Sequence, residues 1–167
     1  SSLVSELSSQ ITDEIGFMSD MQWSHDEGAL DRGNFAFNYT GSNNGIIFNT
    51  GYRYRLDRSG QDGQNQLVAS TIIPIYDGWS VIGLYRYSFL HNETLEYFFG
   101  VEKDTCCWRF RVIARQFLRT SSLNDFEGVK SENSIFFQLE LKGLTSIGDS
   151  LEEFLSDNIY GYTRPAY

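Results

Sequence analysis

Proline, histidine and cysteine are scarce in this chain, with 2 Pro, 2 His and 2 Cys among 167 residues. Positive charge is short as well: 13 Lys+Arg stand against 22 Asp+Glu, a formal net charge of -9. A protein that neutralises phosphates needs a basic surface, and these arginines are scattered among acidic and aromatic residues, so a nucleic-acid reader is excluded. No run approaches the roughly 20 apolar residues of a membrane-spanning helix, which excludes a helical membrane protein but not a β-barrel. The opening Ser1 to Gln10 is polar and has no basic region, so no signal peptide is expected at this start. The length allows one domain. What is abundant is aromatic residues, 16% of the chain, and glycine, 15 residues. That composition supplies strand and turn formers and argues against a helical bundle.

Alternation dominates the pattern. From Gly45 to Asp57, Ile46, Phe48, Tyr52, Tyr54 and Leu56 occupy one phase, and Asn49, Gly51, Arg53 and Arg55 the other. The same period sets Phe35, Phe37 and Tyr39 against Asn34, Ala36 and Asn38, and Trp79, Val81, Tyr85, Tyr87 and Phe89 against Ser80, Arg86 and Ser88. It sets Leu95, Tyr97, Phe99 and Val101 against Glu96, Gly100 and Glu102. Trp108, Phe110, Val112 and Ala114 then oppose Arg109, Arg111 and Arg115, and Ile135, Phe137, Leu139 and Leu141 oppose Ser134, Gln138, Glu140 and Lys142. Weaker alternation over Leu3 to Ile11, Ile15 to Trp23 and Leu67 to Ile75 brings the expected total to nine strands.

Most of these segments reach the roughly 9 to 11 residues of a tilted strand crossing a bilayer, beyond the roughly 5 to 6 usual in soluble proteins. Trp79 and Trp108 each follow a short turn, the level at which a barrel places its interfacial girdle. A soluble sandwich gives no reason for long rows holding Arg53, Arg55, Arg109 and Arg111. Tight connections at Thr12 to Glu14, Gly41 to Asn44, Pro74 to Gly78 and Lys103 to Cys106 alternate with longer ones at His25 to Asp31, Asp57 to Asn65 and Arg119 to Glu132, with His91 to Glu93 a short exception. Outer-membrane barrels keep short turns in the periplasm and longer loops outside. On that assignment the last strand ends in the periplasm while the first begins outside. Opposed termini and an odd strand count suggest a piece of a larger barrel, with a complete eight-stranded barrel as the alternative.

The expected fold is therefore all-β: an antiparallel transmembrane outer-membrane β-barrel segment over 1–144, then a periplasmic tail over 145–167. In that tail Ser150 and Glu153 read as a capping box, and Leu151, Phe154 and Leu155 share one face of a short helix ending near Asn158. The tail is either a frayed terminus or a docking element.

The two cysteines, Cys106 and Cys107, are adjacent in a tight turn. Neighbouring cysteines rarely bridge each other, because their Cα atoms are about 3.8 Å apart and disulfides prefer roughly 4.4 to 6.8 Å. Each needs an external partner or stays free. His25 and His91 give no metal-ligand spacing with them, and no residue is spaced for a hydrolase triad, so neither a metal, a cofactor nor catalysis is expected. Arg53, Arg55, Arg86, Arg109, Arg111 and Arg115 share the lumen-facing phase, where they pair with Glu96, Glu102 and Glu140 or meet anionic sugar and phosphate groups.

Several stretches carry a family likeness. Asp104-Thr105-Cys106-Cys107-Trp108-Arg109-Phe110-Arg111-Val112, then Ile135-Phe136-Phe137-Gln138-Leu139-Glu140-Leu141-Lys142-Gly143-Leu144, and the ending Ile159-Tyr160-Gly161-Tyr162 resemble the C-terminal end of the LptD family, lipopolysaccharide-assembly proteins of the Gram-negative outer membrane. Leu3-Val4-Ser5-Glu6-Leu7 and Gly51-Tyr52-Arg53-Tyr54-Arg55 are similar to it too, so the likeness covers nearly the whole chain. It implies the last third of a barrel of roughly two dozen strands. It further implies an LptE-like lipoprotein plug, an LptA-like periplasmic bridge acting through an N-terminal domain, and lipopolysaccharide and outer-membrane lipids as further partners. Cys106 and Cys107 would pair with cysteines of the N-terminal region, outside this chain. The last strand, with Ile135, Phe137, Leu139 and Leu141, would be one lip of a lateral seam. The expected function is insertion of lipopolysaccharide into the outer leaflet without chemistry of its own. The rival readings are a small complete outer-membrane barrel with a structural or adhesive role, and a barrel enzyme acting on lipid.

Overall fold

A computed structural model describes residues 2–26, 28–56, 63–120, 129–142 and 155–162. Nine strands form one sheet: β1 (Ser2–Gln10), β2 (Ile15–Ser24), β3 (Ala29–Thr40), β4 (Ile47–Arg55), β5 (Gln64–Pro74), β6 (Trp79–Ser88), β7 (Glu93–Asp104), β8 (Trp108–Thr120) and β9 (Val129–Leu141). Every strand pairs antiparallel with its sequence neighbour, in the order β1 to β9. Among the described residues the sheet is open, with β1 and β9 as its edges.

Several strands outrun their apolar alternation. β3 starts at Ala29, before the expected Asn34, because a bulge between Gln22 and Trp23 lets Leu30 and Ala29 pair with Trp23 and Ser24. The connection after β2 is consequently short, not one of the long ones. β9 likewise starts at Val129, its polar first half pairing with Leu118, Arg119 and Thr120. Backbone hydrogen bonds hold these ends, and they need no apolar face. A second bulge, between Arg86 and Tyr87, sets Tyr87 opposite Thr94 and Arg86 opposite Glu96, passing over Leu95.

The turn between β5 and β6 is closed by the Trp79 amide donating to the Tyr76 carbonyl at 2.9 Å, with φ of 50° at Asp77 and 71° at Gly78. This Asp-Gly pair in the left-handed region is the hairpin turn that matches strand twist. A Cβ at Gly78 would sit 2.1 Å from the Asp104 carbonyl oxygen, and the Asp104 amide donates to the Gly78 carbonyl at 2.7 Å. The β5–β6 turn is thereby joined to the foot of the cysteine turn.

The two faces of the sheet differ. One carries Phe48, Ile73, Trp79, Tyr85, Tyr97, Phe99, Trp108, Phe137 and Leu139, all exposed. The other is covered in its middle by 155–162, whose helical turn at 155–158 seats Leu155 and Ile159, both 0% exposed, on Ile72, Ile82, Leu84, Phe98 and Ile113. Burying two such side chains contributes about 1.5–3 kcal/mol each. The tail is thus docked over this stretch. Ser150, Leu151, Glu153 and Phe154, the expected cap and first turn, lie outside the described residues, as does the 144/145 boundary.

Candidate functional site on the covered face

Strand register puts Arg53 and Arg55 opposite Gln66 and Gln64, Arg86 opposite Glu96, and Arg109, Arg111 and Arg115 opposite Asp104, Glu102 and Phe98. All six arginines share the covered face, but their surroundings differ. Arg109 and Arg111 are almost fully buried, whereas Arg53 is exposed.

A charge network in two groups runs across β6 to β9. Arg109 reaches Asp104 Oδ2 at 3.0 Å and Glu140 Oε2 at 3.3 Å. Arg111 bonds Glu102, donates to Gln138 Oε1 at 3.1 Å and bonds the Tyr162 hydroxyl, whose ring lies 5.8 Å from its guanidinium. Arg115 and Arg86 converge on buried Glu96, at 2.6 Å and 3.1 Å. Lys142 reaches Asp104 Oδ1 at 2.5 Å. Charges removed from water this far persist only when matched, and here each guanidinium faces at least one carboxylate.

The cysteine turn sits at one end of this network. Thr105 holds it: its Oγ1 donates to the Trp108 carbonyl at 2.8 Å and accepts from the Trp108 amide at 3.1 Å. The Lys142 amide donates to the Cys107 carbonyl at 2.9 Å, fixing the turn to the end of β9. Both thiols are free and exposed, with their sulfurs 2.7 Å apart. The contact with Cys106 pushes the Cys107 thiol above its ordinary range. At the tight turn after β1 the converse holds: the Ser42 hydroxyl and amide donate to Glu14 and hold its carboxyl below the ordinary range.

Ile135, Phe137, Leu139 and Leu141 lie on edge strand β9 and are exposed on the aromatic face. Beside the tail, a hollow of about 660 Å³ opens between β2–β6 and 157–160, with Asn34, Asn49, Gln66, Arg53 and Arg86 among its lining. The Nδ1 of His91 is 3.1 Å from Ser88 Oγ, and His25 is exposed in the turn after β2. Among the described residues no three His, Cys, Asp or Glu side chains are grouped to hold a metal, and no helix is long and apolar enough to cross a membrane.

Alternation alone misses the apolar floor beneath the tail. Its signal is a doublet in four neighbouring strands, Ile72-Ile73, Val81-Ile82, Phe98-Phe99 and Val112-Ile113. A strand apolar at two successive positions there turns one side chain to the tail and the next to the open aromatic face.

The chain has relatives. Residues 1–79 match the family model described as LptD, LPS transport system D. The LPS-assembly protein LptD of Methylococcus capsulatus is 33% identical over 176 residues, a match covering 98% of this chain and 17% of that protein. The protein of the same name from Nitrosococcus oceani is 31% identical over 163 residues, covering 98% and 20%. That from Pseudomonas aeruginosa strain LESB58 is 35% identical over 164 residues, covering 87% and 17%. Sheet and faces define the class, an antiparallel all-β chain with one aromatic open face and one charged, partly covered face. The relatives it matches are proteins of the LptD family, and the chain spans about a fifth of their length.

Proposed function

We propose that this chain is the C-terminal stretch of a transmembrane barrel in the outer membrane of a Gram-negative cell, and that the whole protein inserts lipopolysaccharide into the outer leaflet. The supporting observation is the division of the sheet. Exposed aromatic and aliphatic side chains fill one face, and a matched set of buried arginines and carboxylates fills the other. In a lipid-embedded barrel the first face meets hydrocarbon and the second a polar lumen. Arg53, Arg55, Arg86, Arg109, Arg111 and Arg115 then line the lumen. Residues 1–144 form barrel wall, and 145–167 form a tail that starts on the periplasmic side.

Within that reading β9 is one lip of a lateral seam, with Ile135, Phe137, Leu139 and Leu141 facing lipid at its margin. Cys106 and Cys107 link the periplasmic turn to the N-terminal region of the protein. An LptE-like lipoprotein occupies the lumen, and an LptA-like bridge delivers lipopolysaccharide through the N-terminal domain. The role is transport, with no bond made or broken in the lipid.

The test is a cysteine placed at Phe137 or Leu139 and bridged to the first strand of the full-length protein. Export of lipopolysaccharide should stop while the barrel stays folded. Normal surface lipopolysaccharide in cells with a quantitative crosslink would overturn the seam.

A further inference from the structure

Segment 155–162 touches more of the sheet than its length suggests. Leu155 and Ile159 rest on side chains from β5, β6, β7 and β8. Asn49 of β4 donates its side-chain amide to the Tyr160 carbonyl at 2.9 Å. A Cβ at Gly161 would lie 3.2 Å from Thr40 Oγ1 and 3.8 Å from Ile47 Cγ2, on β3 and β4, while the next residue, Tyr162, bonds Arg111 on β8. Adjacent strands are about 4.7–4.9 Å apart, so β4 and β8 are separated by roughly 19 Å along the sheet. One tyrosine and one arginine side chain bridge that distance only if the strands curl around the segment.

We propose that 155–162 is an internal strap that ties β4 to β8 and holds the β8–β9 edge in one position. Its middle grips by burial, through Leu155 and Ile159. Its polar ends are attached to groups that have a second partner. Arg111 keeps Glu102 and Gln138 when Tyr162 departs, and the side-chain amide of Asn49 also lies 3.4 Å from Ser70 Oγ. Letting go therefore strands no buried charge, which distinguishes a releasable strap from a permanent part of the core. The grip reaches the edge through Gln138, which belongs to β9 and shares Arg111 with Tyr162. This role does not depend on which cargo the protein carries.

Hydrogen exchange of the purified full-length protein in detergent micelles, resolved by peptide, tests the strap, since local opening of strands is read directly as lost protection. Ile159→Asp should release the segment and speed exchange in β8 and β9 at least tenfold, leaving β1 to β3 as in the parent. Tyr162→Phe removes only the hydroxyl link and should give a smaller acceleration confined to the β8–β9 peptides. Unchanged β8–β9 exchange in Ile159→Asp would overturn the proposal, and so would an equal acceleration of all nine strands. If Ile159→Asp does not fold, Tyr162→Phe decides alone, and parent-like exchange in it would overturn the proposal equally.

Discussion

Arg53 on β4 and Arg111 on β8 stand in the same phase of their alternating rows, and the sequence treats them alike. The structure separates them by burial. Arg53 faces Asn34 and Gln66 at the surface, whereas Arg111 is 1% exposed and holds Glu102, Gln138 and Tyr162. A neutral side chain at 111 leaves Glu102 with Arg109 at 4.0 Å as its remaining cation. Arg111→Gln should therefore cost about 3 kcal/mol, and Arg53→Gln should stay within about 0.5 kcal/mol. Urea unfolding midpoints in the same micelles check this, and equal midpoints for the two variants would refute the ranking. Burial of this kind is illegible in sequence because what covers Arg111 includes a tyrosine 51 residues downstream.

At the scale of the element, alternation located all nine strands because period two is a local property, set by the pleat of each strand. Strand ends were less legible. β3 and β9 extend through polar residues whose pairing depends on the partner strand and, for β3, on a bulge. Of the tail, the helical turn at 155–158 was legible but its role as a covering element was not, since its apolar residues fit a frayed end as well as a docked one. Its place is written in the sheet, in the apolar doublets of β5 to β8. The faces of β8 give a direct prediction. Val112 stands opposite Val101 and Phe137 on the aromatic face, so Val112→Arg should cost about 2–4 kcal/mol for a site near the bilayer midplane. Folding into vesicles of defined thickness measures it, and a cost below that of Arg53→Gln would mean that the face does not meet lipid.

For the whole molecule, the cysteine turn is the point from which the barrel would be joined to the rest of the protein. Thr105 and Lys142 hold it rigidly, while both sulfurs remain exposed. Two thiols at one rigid point offer two independent links. Replacing Cys106 or Cys107 singly by serine should leave one link and a working full-length protein. Replacing both should leave the N-terminal region untethered, slow lipopolysaccharide delivery and sensitise cells to large hydrophobic antibiotics. Non-reducing electrophoresis read beside growth decides, and free thiols at both positions in active parent protein would remove the link.

The order β1 to β9 also bears on how the sheet is made. Each pairing joins strands adjacent in sequence, across connections as short as Thr105–Cys107. Little chain entropy is lost in closing each hairpin, and low contact order of this kind favours fast assembly. The exception is the docking of 155–162, which meets β4 more than a hundred residues earlier, Tyr160 standing 111 positions after Asn49. That contact exists only once the hairpins between are in place, so 155–162 follow all nine strands in the chain and find their seat after them. A protein caught before that moment would have nine paired strands and a bare apolar floor, the state most exposed to chaperones and proteases.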